Sequence, residues 1–310
     1  MSIAFVFPGQ GAQAPGMGKS LYDSSPAARN VFETVDTACG FSVSRICFEG
    51  TEAELRDTRI TQPALFAASV AAFAACREAG LNPQAVAGHS IGEYAALVAA
   101  ASFSVHNGAR LVKARGEAMA DAAESRPGAM AAVLGLDFDA VTEACRNVNN
   151  VGAVVPANIN APGQIVISGE TNAVEAASSL LKTRGAKRVL PLAVSGAFHS
   201  PLMELAGAVM TGVLALTEIN DPALPIVANV TADYEQTANE VRANLAHQVA
   251  GPVRWVETIN RLYADGYTTF VECGPGNVLA GLIKRIAPDA RTLNVSDAQT
   301  LAAAKEALAV

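Results

Sequence analysis

The chain has 310 residues, 51% of them hydrophobic and 16% charged, with a net charge of −7. That is enough apolar material for one large domain, or a large one with a small one attached, and the negative balance argues against general nucleic-acid binding. No apolar run reaches the ~18 residues of a membrane span, and no basic, cleavable leader precedes the first strand.

Taken in order, strand-like runs alternate with long amphipathic segments, the pattern of an α/β protein with a parallel sheet. Ile3 to Phe7 reads as a buried strand followed by a glycine-rich turn. Helices follow at Leu21 to Cys39 and at Pro63 to Ala79, with Pro63 suited to a first turn. A short strand at Ala85 to His89 runs straight into a helix, and another helix spans about Val105 to Glu124. The breaker cluster Arg126-Pro127-Gly128 ends that helix. Residues 127–194 then read β-α-β-β-α-β, a ferredoxin-like order, with strands at 129–136, 153–160, 164–169 and 187–194 and helices at 137–147 and 172–183. After Ser195 the longer rhythm resumes, with helices near 199–217, 239–248 and 254–265, a strand at 268–273 and a helix after Gly276. Residues 1–126 and 195–310 therefore form the larger unit, and 127–194 an insert.

The strongest local signal is Gly88-His89-Ser90-Ile91-Gly92, a G-x-S-x-G between a predicted strand and a predicted helix. This is the pattern of a nucleophile elbow, in which a strained turn lifts a serine hydroxyl to a helix N-terminus. Such a serine needs a base, and the chain has only four histidines. His89 should leave an extended strand on the side away from Ser90 and reads as packed and hydrogen-bonded. His106 and His247 sit in helical stretches and suit solvated or capping roles. His199, in Ser195-Gly-Ala-Phe-His-Ser-Pro, lies where a strand gives way to a helix and is the candidate base. No acid follows a main-sheet strand between Ser90 and His199, so an uncharged group such as a backbone carbonyl is expected to orient the imidazole. Arg115, among Ala114, Gly116, Ala118 and Met119, reads either as an ordinary surface arginine or as a guanidinium fork for a substrate carboxylate.

Gly9, Gly11 and Ala14 match the spacing of a dinucleotide-binding loop. That reading needs a helix at once and an acidic residue about 20 positions on, at the end of a second strand. Pro15-Gly16 delays the helix, and Glu33 and Asp36 fall inside one. An acyl-transfer site needs a second backbone donor beside that of Ile91, and Gln10, flanked by glycines, can offer its N–H to an oxyanion. Five cysteines, odd in number and never in C-x-x-C spacing, read as reduced thiols of a cytoplasmic protein.

Together these residues resemble the malonyl-CoA:acyl carrier protein transacylases of type II fatty-acid synthesis, over essentially the whole length. The markers are FPGQGAQ (7–13), TQPALF (61–66), GHSIGEYAAL (88–97), KARGEAM (113–119), NAPGQIVISG (160–169), GAFHSPLM (196–203), PVRW (252–255) and VECGPG (271–276). Ile91 stands where leucine is commoner, which matters little if its backbone does the work. The resemblance implies an α/β-hydrolase-like large domain with a ferredoxin-like insert. It implies that Ser90 takes the malonyl group, His199 is the base, and Gln10 and Ile91 supply the oxyanion amides. Arg115 would grip the malonyl carboxylate, Gln62 would line the acyl pocket and Asn160 would bind substrate. Gln248 would present its backbone carbonyl to His199. The form GAFHS resembles malonyl-selective members.

The implied partners are malonyl-CoA and an acidic acyl carrier protein, with no metal or redox cofactor, no membrane, no nucleic acid and no second copy of the chain. Docking of the carrier points to Lys182, Arg184, Lys187 and Arg188, four basic residues in seven, or to Lys284 and Arg285. A solvated face is the alternative. Three rivals stand beside this reading: a serine thioesterase, an acyltransferase serving a polyketide or malonate decarboxylase carrier, and a non-catalytic binding module.

Overall fold

The computed structural model describes residues 2–308. Its strands are β1 (Ile3–Phe7), β2 (Ala85–Gly88), β3 (Ala129–Leu134), β4 (Val154–Ala161), β5 (Gln164–Gly169), β6 (Arg188–Pro191), β7 (Ile226–Val227), β8 (Tyr234–Glu235), β9 (Thr269–Cys273) and β10 (Arg291–Val295). They divide into two sheets. The larger runs β10-β9-β1-β2-β7-β8, parallel throughout except for the β7–β8 pair. The smaller runs β4-β5-β3-β6 and is antiparallel throughout.

Period-two alternation explains why the large sheet is buried on both faces. In β1, Phe5 and Phe7 enter one core, where both meet Phe73 edge-on. Ala4 and Val6 enter the opposite core with Trp255, Ile259 and Phe270. A fully buried phenylalanine of this kind contributes roughly 1.5–3 kcal/mol. On the small sheet, Ala131, Val133, Ile165 and Ile167 pack under the helices Phe138–Asn147 and Thr171–Thr183. The alternate residues Met130 and Val166 face the other way and join the main core.

One backbone joint ties the small sheet to the stretch that precedes the helix Trp255–Ala264. The Val253 N–H donates to the Ala157 carbonyl at 2.8 Å, and the Ile159 N–H donates to the Val253 carbonyl at 2.9 Å. Residue 253 thus pairs with β4 in parallel, outside either sheet.

Several elements depart from the sequence reading. The expected helix 21–39 is two helices, Lys19–Ser24 and Pro26–Cys39, broken at an extended Ser25 whose Oγ accepts from the Ala28 N–H. Pro26 is the cause, because proline pushes the preceding residue out of the helical region. The helix expected to start at Pro63 starts at Thr58 under an Asp57 cap and runs to Glu78, so Pro63 lies inside it. The backbone there passes close to Gly116, where an added Cβ would come within 2.9 Å of the Thr58 carbonyl. This helix is also long and apolar enough to cross a membrane, a run the composition reading did not find, yet 78% of its apolar window is buried within the protein. The strand expected at 187–194 stops at Pro191. The helix expected from 199 begins only at Glu204, after a 3-10 turn at Pro201–Met203.

Candidate active site

Ser90 occupies the turn between β2 and the helix Gly92–Ala99, with a left-handed φ of 52°. Both flanking glycines are required by contact. A Cβ on Gly88 would lie 2.0 Å from the Gly92 carbonyl, and one on Gly92 would lie 2.1 Å from the Phe7 carbonyl. The second approach also sets the loop after β1 against the turn, and Gln10 and Ile91 both line the resulting cavity. Among the described residues neither backbone N–H donates a hydrogen bond, so both remain available to a developing negative charge.

The Ser90 Oγ lies 2.7 Å from Nε2 of His199. On the other side of the ring, Nδ1 lies 2.9 Å from the Gln248 carbonyl and 3.0 Å from that of Gly251. Carbonyls only accept, so Nδ1 carries the proton and Nε2 is left to accept from the serine hydroxyl. Burial first, and then the Arg115 charge, lower the His199 pKa to about 3. The imidazole is therefore neutral at ordinary pH. Like Ser90, His199 is left-handed, with φ 58°.

Arg115 projects from the helix Val105–Ser125 and is 1% exposed, which removes the surface reading. Its guanidinium donates to Gln62 Oε1 at 2.7 Å, to Gln248 Oε1 at 2.9 Å and to Ser90 Oγ at 3.1 Å, and it stands over the Tyr94 ring at 5.5 Å. Its Nε has no partner, and among the described residues no carboxylate hydrogen-bonds to it. Burial pushes its pKa down, but an arginine this basic remains a cation. A buried cation held only by neutral acceptors, beside a serine–histidine pair, suits a substrate that brings its own anion.

The cavity over these groups has a volume of about 320 Å³ and is walled by the loops that follow β1 and β2, by the helix Val105–Ser125 and by the small sheet. Met119, Phe198 and Ile91 come from outside the small sheet, and Met130, Asn160 and Val166 from its strands β3, β4 and β5. Leu192 to Val194, where the sequence predicted more strand, lie beyond β6 and line the cavity, with the Leu192 N–H still donating to the Met130 carbonyl at 2.9 Å. Asn160 lines it too, but its Oδ1 is 2.8 Å from His89 Nε2, and His89 packs edge-on against Trp255. Gln62 is fully buried behind Arg115, with its Nε2 toward the Met119 sulfur, and is not part of the cavity wall.

The sequence reading did not single out four residues that the structure brings to this site. Asn229 accepts from the Ser90 N–H at 2.7 Å and donates to the Gly88 carbonyl at 2.6 Å. Gly251 supplies the second carbonyl to His199. Arg56 stands at the cavity edge, paired with Glu52 at 3.1 Å. Glu93, fully buried, sits behind Ser90. Of these only Glu93 left a signal, as the one charged residue in an otherwise apolar helix, Gly92–Ala99. Of the basic residues considered for docking, Arg184 pairs with Glu143, while Lys284 and Arg285 donate to the carbonyls of Ala290 and Pro162. Lys182, Lys187 and Arg188 are exposed.

Comparison with known proteins places this geometry. Residues 4–305 match the acyl transferase domain model. The chain belongs to the acyl transferase family. It is 45% identical over 307 residues to the malonyl CoA-acyl carrier protein transacylase of Bacillus subtilis (strain 168), covering 99% of this chain and 97% of that protein. To the corresponding protein of Haemophilus influenzae it is 40% identical over 308 residues, 99% of each chain. Among solved structures, an acyl-carrier-protein-S-malonyltransferase from Bartonella henselae superposes with a TM-score of 0.96 at 44% identity, covering all of both chains. A malonyl-transacylase solved in complex with a type II polyketide acyl-carrier protein gives a TM-score of 0.96 at 41% identity, over 99% of this chain and all of that one.

Proposed function

We propose that this acyl transferase moves the malonyl group from malonyl-CoA, through an ester on Ser90, to the phosphopantetheine thiol of an acyl carrier protein in fatty-acid synthesis. The observation that carries the reading is Arg115. It is a buried guanidinium without a carboxylate partner, 3.1 Å from a serine oxygen that is itself 2.7 Å from a neutral histidine. Leaving such a cation unpaired costs on the order of 2–5 kcal/mol, so the site favours acyl groups that end in a carboxylate. The names of the relatives support the same substrate and partner.

In the first half-reaction Ser90 Oγ attacks the thioester carbon as its proton passes to His199 Nε2. The Gln248 and Gly251 carbonyls hold the imidazolium through Nδ1. The N–H groups of Gln10 and Ile91 receive the oxyanion. The carbon–sulfur bond then breaks, and CoA leaves as the thiol after taking the proton back. The second half-reaction runs the same steps in reverse with the carrier thiol as nucleophile. Thioester replaces thioester, so the free-energy change is small, and the cavity has to keep water off the ester. Gln62 acts on the malonyl group by steadying Arg115, and Asn160 meets the substrate from the cavity wall.

The strand order of the small sheet, second-third-first-fourth along the chain, supports reading residues 127–194 as a ferredoxin-like insert in an α/β-hydrolase-like domain made of 1–126 and 195–310. Lys187 precedes and Arg188 opens β6, whose far end delivers Leu192 to the cavity, so they are our choice for carrier docking on a protein that acts as a monomer. Five buried, unbridged cysteines fit a reducing cytoplasm.

Intact mass after mixing with malonyl-CoA tests the reading. A malonyl adduct on Ser90 that persists alone and moves to a phosphopantetheinylated carrier protein is expected. An adduct that decays to malonate at the same rate without the carrier means a thioesterase instead.

A further inference from the structure

We propose that Glu93 is a positioning residue: its buried carboxyl oxygen fixes which way the Gln248 amide faces, and through that amide it holds Arg115 and the Ser90 backbone in place for an acyl group bearing a carboxylate. The inference rests on the acyl-transfer reading above and adds to it a residue that does not touch the reacting atoms.

The argument is one of donors and acceptors. The Gln248 side chain is completely buried and has three partners. Its Oε1 accepts from Arg115 at 2.9 Å, while its Nε2 donates to the Ser90 carbonyl at 2.9 Å and to Glu93 Oε2 at 2.7 Å. Turned over, the amide would set its two hydrogens against the guanidinium and its oxygen against two other oxygens. Every contact would then be donor to donor or acceptor to acceptor. Glu93 is one of the two acceptors that forbid the flip, and the only one supplied by a side chain. The same Oε2 also accepts from the Asn229 N–H at 3.3 Å, and Asn229 in turn holds the Ser90 N–H and the Gly88 carbonyl. Both backbone polar groups of Ser90 are thus held by side chains of residues that also donate to one carboxyl oxygen, Gln248 through its amide and Asn229 through its backbone N–H.

That anchorage suits a residue kept at a left-handed φ of 52°, a conformation that persists only where its surroundings impose it. The role is that of an acceptor and not of a charge. Burial, and then the nearby Glu235 carboxyl, raise the Glu93 pKa well above the ordinary carboxylate value. Its second oxygen, Oε1, has no partner at all. Glutamine can reproduce the accepting oxygen, whereas leucine fills similar space and cannot accept.

The test compares acylation of the enzyme by malonyl-CoA and by acetyl-CoA, the same thioester without the carboxylate, read by rapid-quench intact mass. Glu93→Gln is expected to keep both rates within about threefold of the parent. Glu93→Leu is expected to lower malonyl acylation about a hundredfold and acetyl acylation only about tenfold. Only malonyl depends on the aim of Arg115. Gln248→Met keeps the carbonyl for His199 but deletes the amide, and it should reproduce the same malonyl-selective loss even if Glu93→Leu fails to fold. If Gln248→Met leaves the ratio of the two rates unchanged, or if Glu93→Gln loses as much as Glu93→Leu in folded protein, the proposal is overturned. Failure of the parent enzyme to form a malonyl adduct would instead remove the acyl-transfer reading beneath it.

Discussion

The small sheet and the loops that follow β1 and β2 meet at one cavity and bring different things to it. From outside the small sheet come Ser90 and His199, the pair proposed to exchange protons, held at φ 52° and 58°. From the small sheet come Met130, Asn160 and Val166, side chains of an antiparallel ladder whose β4–β5 pairing shifts register at Asn160. Among its described non-glycine residues none has a positive φ. Each such conformation costs on the order of 1–3 kcal/mol. Strain is therefore confined to the unit that would do the chemistry, while the other supplies a wall that can be built cheaply.

Substitutions should divide along the same line. The largest effect belongs to Ser90→Ala, which should abolish the acyl-enzyme and lower transfer by at least about a thousandfold. A surviving adduct in the mass spectrum would move the nucleophile elsewhere. Next comes Arg115→Ala. Malonyl acylation should fall by about 30-fold to a few thousandfold, the equivalent of 2–5 kcal/mol, while acetyl acylation is spared or raised. Equal losses in the two would show that the guanidinium does not hold the carboxylate. On the smaller unit, reversing Lys187 and Arg188 to glutamate should raise the KM for the carrier about tenfold at low salt, and less as salt rises, with acylation by malonyl-CoA unaltered. An unchanged carrier KM would leave these residues as a solvated face.

The smallest expected effect concerns pH. With the His199 pKa lowered to about 3, the base is already neutral, so the acylation rate should vary by no more than about twofold between pH 5 and 8. The same shift bears on stability. Its folded pKa lies below the unfolded value of about 6.5, so the contribution of His199 is present in full above pH 6.5 and is lost as pH falls toward 3. Urea midpoints of the parent and of His199→Gln at pH 7 and pH 5 check this, since the parent should lose more of its midpoint on acidification.

Much of this site was legible because chemistry and local geometry coincide in short stretches. The elbow glycines at 88 and 92 are forced by backbone contact, and with only four histidines in the chain the choice of base is narrow. The α/β alternation and the β-α-β-β-α-β middle could be read because each element is long enough to show its period. What escaped was non-local or short. Asn229 follows a strand of two residues, Ile226–Val227, which has no period to read. The double carbonyl at His199 depends on a turn that brings Gly251 back beside Gln248, and no spacing encodes that. Gln62 fits the motif read for it but stands behind the arginine, because the start of its helix at Thr58 rather than Pro63 was not apparent.

The joint at Val253 has a mechanical consequence. The stretch from Gln248 to Val253 offers two carbonyls to His199 at one end and is zipped to β4 at the other. Prising the two sheets apart to admit a substrate would pull on the same short cord that aims the imidazole. The molecule cannot open like a pair of jaws and keep its base in tune. The rim at Leu192 to Val194 lies past the end of β6, tethered to β3 through the Leu192 N–H on the Met130 carbonyl, and is the part of the wall that can yield without pulling on that cord.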